Sequence, residues 1–167
     1  MMRGLLLSLS LSAGILVAFG CASASSGGGG GTSYRKDLGT VTAHDFSRYT
    51  RLILQRYNYE MEQEDSSTNY QQFKTRWDYR NPHQDEIELG VVEIRTQLTV
   101  RARSRGAGGA GSAGLQTAEL IAQNMARVQG STEWVLTVMS PMFKEYIDEI
   151  AGELKTKFSS GIRVYDR

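Results

Sequence analysis

Cysteine is nearly absent: the chain of 167 residues has one, Cys21. Beyond it no disulfide, thiolate metal site or cysteine nucleophile can form, so whatever follows is held by its core alone. Net charge is scarce as well. Nineteen basic residues stand against 18 acidic ones, and setting Arg3 aside leaves 18 against 18. A neutral balance lacks the electrostatic footprint of a nucleic-acid binder. Histidine occurs twice, at His44 and His83, and proline twice, at Pro82 and Pro141. Long apolar runs are missing too. The uncharged stretch from Gly4 to Cys21 has an apolar part, Leu5 to Phe19, diluted by Ser8, Ser10 and Ser12. That is shorter than the roughly 20 apolar residues a spanning helix needs.

What is present at the start is a processing signal. Met1-Met2-Arg3 is a short positive segment, Leu5 to Phe19 an apolar one, and small residues follow, the order a secretory signal requires. Leu16-Val17-Ala18-Phe19-Gly20-Cys21 resembles the lipobox of bacterial lipoproteins, which ends in a small residue and an obligatory cysteine. Ala18 stands where that family most often has Leu, and Phe19 is bulkier than usual. The resemblance covers residues 1–21 and implies acylation of Cys21. One acyl chain binds membranes marginally, whereas two or more hold stably; the family carries two or three. Ala22 in place of Asp after the lipidated Cys implies outer-membrane residence, facing the periplasm. An ordinary signal peptidase site at Ala22-Ser23-Ala24 is the alternative, and it would remove Cys21.

The organisation expected is a signal peptide over 1–20, a lipidated Cys and Gly/Ser tether over 21–44, and one domain over 45–167. ASASSGGGGGTS, residues 22–33, spans roughly 20 Å as a coil of that composition, so the domain stays near its membrane. One domain of this length can bury a real core.

Within the domain, period two dominates at first. Thr42 with Asp45 fits a helix cap, and a short helix could run through Phe46 and Tyr49. The alternation of Tyr57, Tyr59 and Met61 with Arg56, Asn58 and Glu60 favours a strand over about 51–61. Gln63 to Asn69 reads as a polar turn. Phe73, Thr75, Trp77 and Tyr79 alternate with polar residues and complete a hairpin. Val92, Ile94, Thr96, Leu98, Val100 and Ala102 define the clearest strand, and the phase slip at Gly90-Val91-Val92 predicts a β-bulge.

Gly106 to Gly114 then interrupts the chain as a loop without a phosphate-binding signature. Leu115, Ala118, Ile121, Met125 and Val128 predict a helix ending at Gly130, and Trp134 to Met139 is of undecided type. Ser140-Pro141 caps and opens a helix with a stripe of Phe143, Ile147, Ile150, Leu154 and Phe158. Gly161 closes it, and Ile162 to Tyr165 can form a last strand. The predicted fold is α+β: a two-layer antiparallel β-meander against C-terminal amphipathic helices, in the order βββαα. A twisted sheet wrapped on one long helix resembles the helix-grip modules of envelope assembly lipoproteins in architecture only.

Candidate chemistry is thin. His83, Asp85 and Glu86 offer a weak ligand set on one loop. His44 with Asp45 lacks a marked serine. Glu145, Asp148, Glu149 and Glu153 lie on the wet face of the last helix, with no sign of the cleft that paired carboxylates need. Arg95, Arg101, Arg103 and Arg105 share a strand face suited to phosphates or carboxylates, with Arg76 beside them. Tyr57, Tyr59, Phe73, Trp77 and Tyr79 either line a pocket or fill the core. No catalytic residue, metal ligand or cofactor is assigned. The expectation is an envelope lipoprotein held in the membrane through Cys21, with a non-catalytic scaffold domain that binds another envelope protein. The second expectation is a lipid- or small-ligand-binding module using a sheet–helix cleft.

Overall fold

The computed structural model of the chain describes residues 32–67, 69–104 and 114–161. The signal and Cys21, Arg105, most of the Gly106–Gly114 loop and the strand expected at 162–165 lie outside the described residues.

Among the described residues seven strands form one antiparallel sheet, and the fold is mixed α+β. Two long strands carry it: β5 (Val91–Ser104) and β6 (Leu115–Val128) pair along their whole length. Each is flanked by an interrupted neighbour. β3 (Tyr70–Thr75) and β4 (Asp78–Arg80) both pair with β5. β1 (Ser33–Thr42) and β7 (Val135–Thr137) both pair with β6. β2 (Met61–Ser66) pairs with β3 and closes the far edge. Two helices, α1 (Ala43–Arg56) and α3 (Pro141–Ser160), pack together and against the sheet. A short helix, α2 (Gln84–Ile87), leads into β5.

The core lies between the helices and one sheet face. Phe143, Ile147, Ile150, Leu154 and Phe158 of α3 are all buried, as the stripe predicts. They share one cluster with Phe46, Ile53 and Leu54 of α1 and with Leu98, Val100, Ala118, Leu120 and Ala122 of the sheet. The Ser140 hydroxyl accepts from the Phe143 N–H at 3.3 Å and caps α3. Thr42 likewise accepts from the Asp45 N–H at 3.1 Å and caps α1. The register of β5 shifts between Val91 and Glu93, where the bulge was expected. Beyond it Ile94, Thr96, Leu98, Val100 and Ala102 point inward and are buried.

The order is not βββαα, and five segments differ from the sequence reading. Residues 115–128 form strand β6, not a helix. Its inward residues are Gln116, Ala118, Leu120, Ala122, Asn124 and Ala126; alanine and buried amides hide the alternation. Residues 43–56 form α1, so the strand expected over 51–61 is helix for half its length. The buried set Phe46, Thr50, Ile53 and Leu54 has helical spacing. The helix ends in a turn with Asn58 at φ 61°, a conformation Asn tolerates better than most residues. The polar cluster after Met61 is strand β2, and 33–42, inside the stretch read as tether, is strand β1. Both are edge strands studded with charge, including Glu62, Glu64 and Asp65 on β2 and Arg35, Lys36 and Asp37 on β1. Charge on an edge opposes pairing with another chain and makes a strand look like a loop. Ile87 and Leu89, which alternate with polar residues ahead of the bulge as a strand would, belong instead to α2 and its turn.

Candidate functional site

The outer sheet face, away from the helices, carries the arginines singled out from sequence. Arg101 pairs with Glu119 on β6, and Arg35 reaches the same carboxylate at 3.8 Å. Arg103 lies over the Tyr70 ring, 5.6 Å from its centre, with no carboxylate partner among the described residues. Arg35, Lys36, Arg101 and Arg103 line a shallow hollow of about 280 Å³ together with Asp37 and Glu119. Lys36 is drawn to Asp148 at 2.9 Å. Arg35 and Arg101 thus share one carboxylate, and with Arg103 lacking one among the described residues the hollow keeps an excess of positive charge. Arg76 does not join it; it sits after β3 and pairs with Glu60 at 3.6 Å.

Arg95 stands apart from the other two. Its guanidinium lies between Trp77 and Trp134, 5.1 and 4.5 Å from the ring centres, and donates to Met125 Sδ at 3.4 Å. Trp134 meets Tyr79 edge-on at 5.8 Å. A cation between two indoles is held by the ring quadrupoles and shielded from water, so this arginine is committed to the aromatic cluster. The Trp77 and Tyr79 expected in a pocket or core belong instead to the outer face. Tyr59 and Phe73 are core residues.

At the mouth between sheet and helices lies a pocket of about 260 Å³, lined by Tyr59, Asp78, Arg80, Asn81, His83, Phe143 and Tyr146. Arg80 forms its floor and makes a two-pronged pair with Glu86, both contacts 2.7 Å. It also stacks on Phe143, 3.7 Å from the ring centre. The His83 N–H donates to Glu86 at 2.8 Å. Burial works to raise the Glu86 pKa, but Arg80 and the His83 N–H outweigh it and hold the carboxyl below its ordinary range. Burial, with Tyr146 and Asp78 close by, pushes the Tyr59 phenol well above its usual value. Burial and the neighbouring Glu60 raise Asp78. The Glu86 and Tyr59 shifts move those groups further from neutral pH, and the Asp78 shift runs toward it.

Most of the remaining candidates engage neighbouring side chains. Glu86 is committed to Arg80, and among the described residues no three His, Cys, Asp or Glu side chains gather as a metal site. Asp85 buries both carboxylate oxygens without a partner among the described residues. His44 is exposed and 3.6 Å from Asp45, whose carboxylate accepts from the Thr42 hydroxyl. Three of the four acids of α3 are clamps, Glu145 being exposed. Asp148 takes Lys36 and the Tyr34 hydroxyl, Glu153 takes Arg56, and Glu149 accepts from Tyr57 at 3.3 Å. Burial and the two glutamates push Tyr57 up to about 12.

No protein-family model matches the chain, and no curated protein is significantly similar to it. Among the described residues no helix is long and apolar enough to cross a membrane.

Proposed function

We propose that the protein is an envelope lipoprotein, anchored through acylated Cys21, whose domain is a non-catalytic scaffold or protein-interaction module at the outer membrane. One observation supports a scaffold over a carrier: the layer between helices and sheet is filled. Phe46, Phe158, Ile53, Ile147, Ile150 and Leu154 are all below 2 % exposed. The pocket left at its mouth, about 260 Å³, falls below the roughly 300–1,000 Å³ of typical ligand sites, and the larger hollow of about 380 Å³ lies at the β4–β5 edge, lined by Tyr79, Arg80, Pro82 and Val92. The anchor itself is supported by the sequence around Cys21 and by the Gly/Ser segment after it. Fractionation of cells making Cys21→Ala tests the reading. The variant should leave the membrane pellet or accumulate as precursor, and a variant that stays in the pellet fully processed would refute the anchor.

A further inference from the structure

Ten large apolar side chains stand exposed among the described residues, and all but Leu52 sit at one end of the sheet. This is the end where β5 begins and β6 finishes, with Val91 opposite Val128. β4 and β7 pair there too, and α2 and the start of α3 adjoin it. Leu89 is 79 % exposed, Val138 58 % and Ile87 51 %. Val92, Val135 and Leu136 are about half exposed beside them. Single exposed aliphatics are ordinary, but a contiguous apolar rim marks a contact surface.

The chain enters the domain from the same end. β1 runs antiparallel to β6 with Ser33 opposite Gln123 and Thr42 opposite Leu115. β7 continues that edge immediately beyond, Thr137 opposite Asn124. From Gln123 to Val128 the strand covers roughly 17 Å at about 3.3 Å per residue. Ten residues, ASASSGGGGG, separate Cys21 from Thr32, and chains of that composition span roughly 18 Å. An anchor at Cys21 thus has the reach to bring the apolar rim to the surface that holds it.

Charge narrows the match. Glu93 pairs with Arg127 and Glu86 with Arg80. Glu88 and Glu133, close to the rim, have no cationic partner among the described residues. Arg95, beside Trp134, is likewise without a carboxylate among the described residues, so the rim carries unpaired charge of both signs, which suits zwitterionic headgroups better than anionic ones. Trp134 and Tyr79 flank it, and aromatic side chains of this kind favour the headgroup level of a bilayer.

We infer that the rim sits in the headgroup layer of the zwitterionic bilayer surface to which Cys21 is anchored, an inference that rests on the lipoprotein reading above. The domain is then held end-on, with the β2–β3 turn facing away from the membrane.

The test uses the full acylated chain in phosphatidylcholine–phosphatidylethanolamine vesicles. A fluorophore is placed on Leu89→Cys, or on Asn69→Cys at the opposite end, with nitroxide-headgroup lipid as quencher. The residue-89 probe should be quenched several-fold more than the residue-69 probe, and 0.5 M salt should not reverse this. Equal quenching, or none at residue 89, overturns the inference. Self-quenching at residue 89 without lipid quenching overturns it in favour of a second copy, and selective cross-linking of residue 89 to another protein in native membranes overturns it in favour of that partner. Acyl mass on the purified protein separates the two readings. An acylated chain with an unquenched residue 89 removes this inference alone, and a chain without acyl groups removes both.

Discussion

Ile150 and Leu89 carry aliphatic side chains of the same size, yet one is fully buried between α3 and the sheet and the other is 79 % exposed. Truncating each to Ala isolates burial from chemistry. Ile150→Ala removes three carbons from the core, about 2.4 kcal/mol at ~0.8 kcal/mol each. A residual void of about 50 Å³ adds roughly 1.2 kcal/mol at ~24 cal/mol per Å³. The sum, about 3.6 kcal/mol, is a large share of the 5–15 kcal/mol typical of a domain. At about 3–5 °C per kcal/mol for a domain of this size, the melting temperature should fall by roughly 10–18 °C. Leu89→Ala should shift it by under about 2 °C, as exposed substitutions do. Thermal unfolding followed by circular dichroism measures both. If Ile150→Ala melts with the wild type, α3 is not packed on the sheet as described, and if Leu89→Ala falls as far, residue 89 is not the exposed side chain described.

Three further outcomes follow from named contacts. Glu86→Gln breaks the buried pair with Arg80 and should cost about 3–5 kcal/mol at neutral pH. Because the folded pKa of Glu86 lies below its ordinary 4.5, its contribution is fully present above 4.5 and is lost as pH falls from there through the lower folded value. Denaturant titrations at pH 6 and pH 3 should therefore show a smaller acid loss in Glu86→Gln than in wild type; an equal loss would exclude Glu86 as a source of it. Thr96→Val removes the hydroxyl that donates to Asn124 Oδ1 at 2.7 Å inside the sheet. It should cost about 1–3 kcal/mol in urea unfolding, since the amide oxygen is left buried and unpaired, and a neutral result would mean that the pair is dispensable. Ala22→Asp should move the protein from outer- to inner-membrane fractions on a density gradient; wild type already in the inner membrane would contradict the sorting proposed.

The sequence carried the elements whose burial pattern is written in large apolar residues. Strand β5, its bulge and helix α3 were readable because Ile94, Leu98 and Val100, or Phe143, Ile147 and Ile150, repeat at one period without competition. Strand β6 was not, because its inward residues are small or polar. Ala118, Ala122 and Ala126 are good helix formers, while Gln116 and Asn124 look like surface. Ala118 and Ala122 work inside the sheet because Phe46, Phe143 and Phe158 fill the same core, and a single strand does not disclose the size of what packs on it. Edge strands β1 and β2 were hidden by the charge that protects them. The alternation of β5 puts Arg95, Arg101 and Arg103 on one strand face, but the pairing of Arg101 with Glu119 and the capture of Arg95 by Trp77 and Trp134 depend on neighbours far away in sequence. The apolar rim was illegible for the same reason: Leu89 and Val138 lie 49 positions apart.

The most direct test of the account is the mass of the mature amino terminus, taken from protein extracted out of native membranes. The account predicts a chain that begins at Cys21 and carries fatty-acyl mass on that residue. A mature chain that begins after Cys21, or at Cys21 without acyl groups, would contradict it.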